Sequence, residues 1–162
     1  MKARYAFAAM LMASAVCPST AAPVLSEKQI SMAIANDMAL AAVDQRRKDG
    51  FHVAVTVVDR AGRIKVVIRD DGANPHTVEA SQRKAYTAAM FRVPTGTFAE
   101  RVRQPAAAAL INLADVIALQ GGLPIKAADE VIGAIGVGGA PGGDKDEVCA
   151  QAGIHKVADQ LR

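Results

Sequence analysis

The stretch "RDDGANPH", Arg69 to His76, gathers a guanidinium, two carboxylates and an imidazole, and Arg83 and Lys84 follow about two helical turns later. Arginine offers a planar fork of donors suited to carboxylate or phosphate groups. A carboxylate or histidine beside it can move a proton, and a neutral imidazole can ligate a metal. The same residues also make a salt-bridged, well-capped turn, and the residue types alone leave both readings open.

Other chemistry-bearing residues are more isolated. His52, His76, His155 and Cys149 fall at no H-x-x-x-H or C-x-x-C spacing, so no ordinary metal-ligand set is present, and no Ser-His-Asp order points to acyl transfer. His52 belongs with the less apolar face of a strand, and His155 with the last helix. Cys149 stands near a helix start, where a thiol can be acidified, but it also reads as a small core residue beside Ala150 and Gly153.

The segment "AIGVGGAPGGDKDEV" from Ala134 invites a phosphate reading. A dinucleotide fingerprint begun at Gly136 finds Gly138 in place but Pro141 where its third glycine belongs, and no Gly-Lys-Ser/Thr follows. Asp144, Asp146 and Glu147 already supply negative charge to the helix start. Asp144 or Asp146 therefore reads as a helix cap, with an anion site as the alternative.

The elements that position these groups follow from periodicity. Ser26 with Gln29 matches a capping box, and Ile30, Ala33, Ile34, Met38, Ala41 and Ala42 form one helical face that ends near Lys48, before Gly50. The period then becomes two. Phe51, Val53, Val55 and Val57 alternate along one strand, "DRAG" turns the chain, and Ile64, Val66 and Ile68 alternate along a second. Asn74 before Pro75 predicts the N-cap of a helix running to about Phe91, with an alanine-rich side suited to close approach. A short helical turn and an irregular stretch are expected between Pro94 and Asn112, a bend at "GGLP", a glycine-bearing strand at "EVIGAIGVGG", and a closing helix from Asp144 to Leu161. The order predicts an α+β fold, a single domain with helices packed on an antiparallel β-sheet.

At the N-terminus, Lys2 and Arg4 precede an apolar run from Tyr5 to Val16 and then small residues. That order reads as a signal peptide over residues 1–22, cleaved after Ala21 or Ala22, with residues 23–162 as the mature domain and a periplasmic or secreted destination. A lipoprotein anchor at Cys17 and a buried N-terminal helix are the alternatives. The apolar run is too short for an ordinary membrane span, so none is expected in the mature form. Cleavage removes Lys2 and Arg4, which lowers the formal charge from +3 to +1, and leaves Cys149 without a partner for an intrachain disulfide. The scattered basic residues, 4% aromatics and absence of tryptophan argue against a nucleic-acid partner.

Taken in order, "VVDRAGRI", "RDDGA", "SQRKAYTAA", "GGLPI", "VIGAIGVGGA" and "DEVCAQAGI" resemble the GlcG/HbpS-type haem-binding family over about residues 27–157, and are also similar to the PduO C-terminal domain. The resemblance implies a profilin-like arrangement of sheet and helices that assembles into homo-oligomers, with haem or a related tetrapyrrole as non-covalent ligand. It assigns Arg69, Asp71 and Gly72 to the family's Arg-x-Asp-Gly turn, Lys84 and Thr87 to a Lys-Ala-x-Thr-Ala helix, and Gly121, Gly122 and Pro124 to a Gly-Gly-x-Pro bend. Asp70 departs from the usual apolar residue of the turn and adds a carboxylate near the expected pocket. Gly138 stands where serine is common.

Three functions follow as expectations. In the first, an exported protein holds haem in an apolar slot, with Arg69 and Lys84 near the propionates, His76 as the iron-ligand candidate, and Gly136 and Gly138 leaving room for a flat ligand. The second is an enzyme acting on a small hydroxy or keto acid, with Arg69 fixing its carboxylate and Asp71, His76 or Lys84 moving a proton. The third is a non-catalytic oligomeric partner protein.

Overall fold

The computed structural model describes residues 23–162, so the proposed signal peptide, with Lys2, Arg4 and Cys17, lies outside the described residues. Within them the chain forms α1 (Met32–Lys48), a hairpin of β1 (Ala54–Asp59) and β2 (Ile64–Arg69), then α2 (His76–Phe91) and α3 (Thr95–Val102). A 3-10 helix (Pro105–Asn112) leads to β3 (Gly122–Ala127), β4 (Glu130–Gly138) and α4 (Gly143–Lys156), with a last 3-10 turn over Ala158–Gln160. The four strands make one antiparallel sheet in the order β2-β1-β4-β3. The fold is a single-domain α+β arrangement, as the periodicity predicts.

Helices cover both faces of the sheet. Val55 and Val57 of β1 join Ile135 and Val137 of β4 in the larger core, against Met38, Ala42 and Val43 of α1 and Cys149 and Ala150 of α4. The opposite core is small and built from Val58, Ala85, Ala88, Ala89 and Ala134, beneath α2. Every residue of β1 is buried, and its two faces are apolar apart from the terminal Asp59 and Thr56, whose hydroxyl meets Ser81 Oγ of α2 at 2.7 Å.

That second core is thin because α2 lies almost on the strands. A Cβ built on Gly136 would stand 2.2 Å from the Ser81 carbonyl oxygen and 2.5 Å from the Ala85 nitrogen, and one on Gly122 2.5 Å from the Lys84 carbonyl oxygen. The space expected beside Gly136 for a flat ligand is therefore filled by the α2 backbone. Alanines on the helix and glycines on the strand give the close approach that larger side chains would prevent.

Several boundaries differ from the periodic reading. The first helix is capped by Ser31, whose hydroxyl accepts the Ile34 N–H at 3.3 Å, and not by Ser26. Ile30 is instead drawn to the sheet, its N–H donating to the Ile132 carbonyl. The Asn74 side chain makes no cap; the Asn74 backbone carbonyl accepts the Thr77 N–H and hydroxyl. The expected bend at "GGLP" is a corner at Gly121, with φ of +121°, that opens directly into β3, where an edge position tolerates Pro124.

Replacing Gly136 with alanine should overpack this contact and lower stability by about 2–3 kcal/mol. Urea denaturation checks it, with the midpoint expected to fall at an unchanged slope.

Candidate functional site

The turn between β2 and α2 is organised by Asp70, which is buried although it lies in a loop. Arg47 donates from Nε to Asp70 Oδ1 at 2.9 Å and adds a second bond from Nη2. The other carboxylate oxygen meets His52 Nδ1 at 2.9 Å, and the Asp71 N–H closes back onto Oδ1. These bonds, led by that from Arg47, hold the Asp70 carboxyl down at about 2 against the work of burying it. Asp70 thus ties α1 to the turn rather than adding a carboxylate to the pocket. His52 lies just before β1, not within it, and its ring packs against Gly72, whose φ is +81°. Arg69 is exposed, and its Nη1 donates to the Ala73 carbonyl at 2.8 Å. Asp71 is exposed on the same turn.

The turn leads into α2, whose first residue, His76, is exposed and lines a cleft of about 370 Å³. Thr77, Ala80 and Lys84 continue the α2 wall, Leu119 and Gln120 form a rim, and Gly138 and Asp146 close the far side. Lys84 is buried at its base. Its Nζ donates to Asp146 Oδ2 at 2.7 Å and to the Val137 carbonyl at 2.9 Å, joining α2 to α4 and to the end of β4. Asp146 Oδ1 accepts the Ala140 N–H at 3.0 Å. Burial pushes the Asp146 carboxyl above its ordinary value, with Lys84 and the Ala140 amide pulling the other way.

Of the residues expected at the site, the structure brings His76, Lys84 and Gly138 into one cleft and leaves Arg69, Asp71 and Gly72 on the preceding turn. Lys84 is already matched by Asp146, so it is not a free cation awaiting a propionate. Thr87, Gly122 and Gly136 serve the fold. Thr87 Oγ1 accepts the Ile117 N–H at 2.9 Å, while both glycines lie under α2.

Neither Asp144 nor Asp146 is the cap that the sequence predicts: α4 begins after Gly142 with no side-chain cap bond, and Asp146 is buried with Cys149, Ala150 and Gly153. That inward face is the sequence signal for its role. Cys149 is a core residue whose thiol donates to the Lys145 carbonyl, and burial pushes its pKa up to about 11, so the acidified thiol is not found. His155 is exposed in the last turn of α4. Among the described residues no three His, Cys, Asp or Glu side chains gather as a metal site.

A family model described as "Haem degrading protein HbpS-like" matches residues 30–155. The chain belongs to this HbpS-like family. It is 31% identical over 114 residues to Protein GlcG of Escherichia coli K12, covering 70% of this chain and 81% of that protein. Among solved structures it resembles a double mutant of Streptomyces reticuli HbpS, with 38% identity, a TM-score of 0.79, and 88% of this chain and 97% of the other covered. It also resembles a PduOC:heme complex, with 25% identity, a TM-score of 0.71, and coverage of 79% and 94%. Solved structures thus match the HbpS-like chain over most of its length.

Two outcomes follow. Lys84→Met strands a buried carboxylate and should cost about 3 kcal/mol in urea denaturation, most of it recovered in Lys84→Met/Asp146→Leu. Because the Asp70 carboxyl titrates lower in the folded chain than its ordinary 3.8, its contribution is complete above that value and is lost as pH falls toward about 2. Thermal melts should show that acid-side loss, and Asp70→Asn should be less stable near neutrality with a flatter acid limb.

Proposed function

We propose that this chain is an exported protein that binds haem non-covalently at the cleft where α2 begins. The observation that carries the reading is His76, an exposed imidazole at the first helical position beside a cleft with a buried, neutralised floor. The HbpS-like family description and the PduOC:heme neighbour support the ligand class.

The residues present fit such a group in a defined way. A neutral imidazole is a common axial ligand of haem iron, and His76 stands where one could be offered. The cleft volume, about 370 Å³, is at the small end of ligand sites, so it suits one edge of a porphyrin with the rest lying across the surface. Arg69 retains guanidinium donors beyond the one given to Ala73, and its exposed place on the turn suits a propionate. Lys84 contributes by fixing the cleft floor. When bound, the haem supplies a redox-active iron.

Export through residues 1–22 and assembly into homo-oligomers belong to the same proposal. Among the described residues, no helix is long and apolar enough to cross a membrane. Ile111, Leu113 and Leu119 are exposed apolar side chains in the chain before β3, of the kind that contacts between copies cover.

Haemin titration is the test. A saturable shift of the Soret band is expected, with His76→Ala weakening binding at least tenfold and altering the spectrum. An unchanged haemin spectrum would overturn the function, and undiminished binding by His76→Ala would remove the ligand assignment.

A further inference from the structure

The sheet has two edge strands, β2 and β3, and they are not equivalent. β3 carries Pro124, which has no N–H, and its register shifts between Ile125 and Lys126. β2 pairs regularly over residues 66–69. The Asp70 N–H donates to the Val53 carbonyl at 3.0 Å, and the antiparallel alternation that starts there turns the backbone of Ile68 and Val66 toward β1. The N–H and C=O groups of Val67 and Arg69 therefore point away from the sheet. Among the described residues no backbone bond outside the sheet takes them up.

The face of β2 toward α2 is also uncovered. Ile64 lies opposite Val58 and Val67 opposite Thr56, so both share the side of the sheet that carries α2. They are nevertheless 52% and 37% exposed, because the helix sits over β1 and β4. A groove of about 490 Å³ runs between helix and hairpin, with Val58 and Ile64 on one side, Arg83 and Tyr86 on the other and Asp115 at its rim. It shares no lining residue with the cleft beside His76. The Tyr86 ring lies on the hairpin turn because Gly62, with φ of +76°, has no Cβ; one built there would stand 2.7 Å from the ring.

Charge selects what can join this edge. Arg63, Lys65 and Arg69 lie in or beside β2, which has no carboxylate of its own, and among the described residues none of the three has an ion-pair partner. Arg60, in the turn before them, is by contrast matched by Glu27 and Glu130. Two copies of β2 paired antiparallel through Val67 would set Lys65 against Arg69, and like charges directly opposite are unfavourable. An acidic strand meets attraction instead.

We propose that β2 and the groove beside it bind an extended acidic segment of a partner protein by antiparallel strand addition. The segment's main chain bonds to Val67 and Arg69, and the residue opposite Val67 turns an apolar side chain into the groove toward Ile64 and Tyr86. Its carboxylates, at the two ends, lie along Arg69 and along Arg63 and Lys65. None of this requires haem at the cleft.

The probe is the blocked peptide acetyl-Glu-Thr-Val-Thr-Val-Thr-Glu-amide, titrated into the ¹⁵N-labelled full chain. Saturable shifts are expected at the amides of Val67, Arg69 and Tyr86. The same peptide with lysine for both glutamates should bind at least about tenfold more weakly. N-methylation of the two valines, whose N–H groups face β2, should abolish saturable binding, whereas N-methylation of the threonines should leave it within about twofold. Val67→Pro removes one outward N–H and spares the bonds to β1, and should weaken binding about tenfold with the rest of the amide spectrum retained. Lys65→Glu should weaken it about fivefold. The methylated peptides act on the unaltered chain, so the test stands even where a variant folds poorly. Absence of saturable shifts at Val67 and Arg69, equal binding of the glutamate and lysine peptides, or equal binding of the two methylated peptides would each overturn the proposal. So would a dimer in sedimentation equilibrium that Val67→Pro abolishes, because β2 would then belong to a second copy.

Discussion

The close contact of α2 with β4 is the constraint on which the other features rest. Gly136 and Gly138 leave the strand without side chains at two positions on that face, and Ser81 and Ala85 bring the helix backbone onto it. Alanine and glycine bury little apolar area each, so this contact draws on backbone proximity and dispersion more than on large hydrophobic side chains. It fixes the height of the helix above the sheet. Once that height is set, each row of residues at three- and four-residue steps along α2 lines one side, which is how His76 and Lys84 come to one cleft and Arg83 and Tyr86 to another.

A buried ion pair stands at the end of this contact, and its energetics suggest what it is for. Desolvating Lys84 and Asp146 costs several kcal/mol per ion, offset by their mutual attraction and by the bonds to Val137 and Ala140. Such a pair gives less net stability than an apolar replacement of similar volume. Its contribution lies in geometry: one ammonium joins α2, α4 and the last residues of β4, three of the segments that bound the cleft. Gly121 supports the same arrangement, since a Cβ there would meet Lys84 Nζ, Asp146 Cβ and the Val137 carbonyl within 3 Å. The Asp70 cluster does comparable work at the other end of the cleft by holding the turn before His76 to α1.

Local pattern was enough to read most elements, and it failed where a residue's role depends on distant chain. The hairpin and α2 were legible because alternation and alanine spacing are local properties of the sequence. Ser26 and Ser31 are both plausible caps by type. The choice is settled by Ile30 bonding to Ile132, about a hundred residues away, which no window around the serines contains. "GGLP" carries the usual marks of a turn, and it becomes a strand because β4 offers an edge to pair with. At the candidate site the sequence pointed to Lys84 and His76 but not to Asp146 as their neighbour. The separation of Lys84 and Asp146, 62 residues, hides the pair, although the spacing of Asp146 with Cys149, Ala150 and Gly153 marked it as inward-facing.

The segment after the 3-10 helix completes both cavities, and its attachment explains why they form together. It crosses α2 pinned at two adjacent places, by Ile117 on Thr87 Oγ1 and by Val116 on Arg83 Nη2. On one side of the pins it carries Asp115 to the rim over Tyr86, and on the other it carries Leu119 and Gln120 to the rim over His76. Thr87 consequently holds the segment that lines both cavities while lining neither itself. A ligand on one flank can influence the other only by favouring one arrangement of these pins over another, since binding that leaves them unchanged carries no differential free energy across the helix.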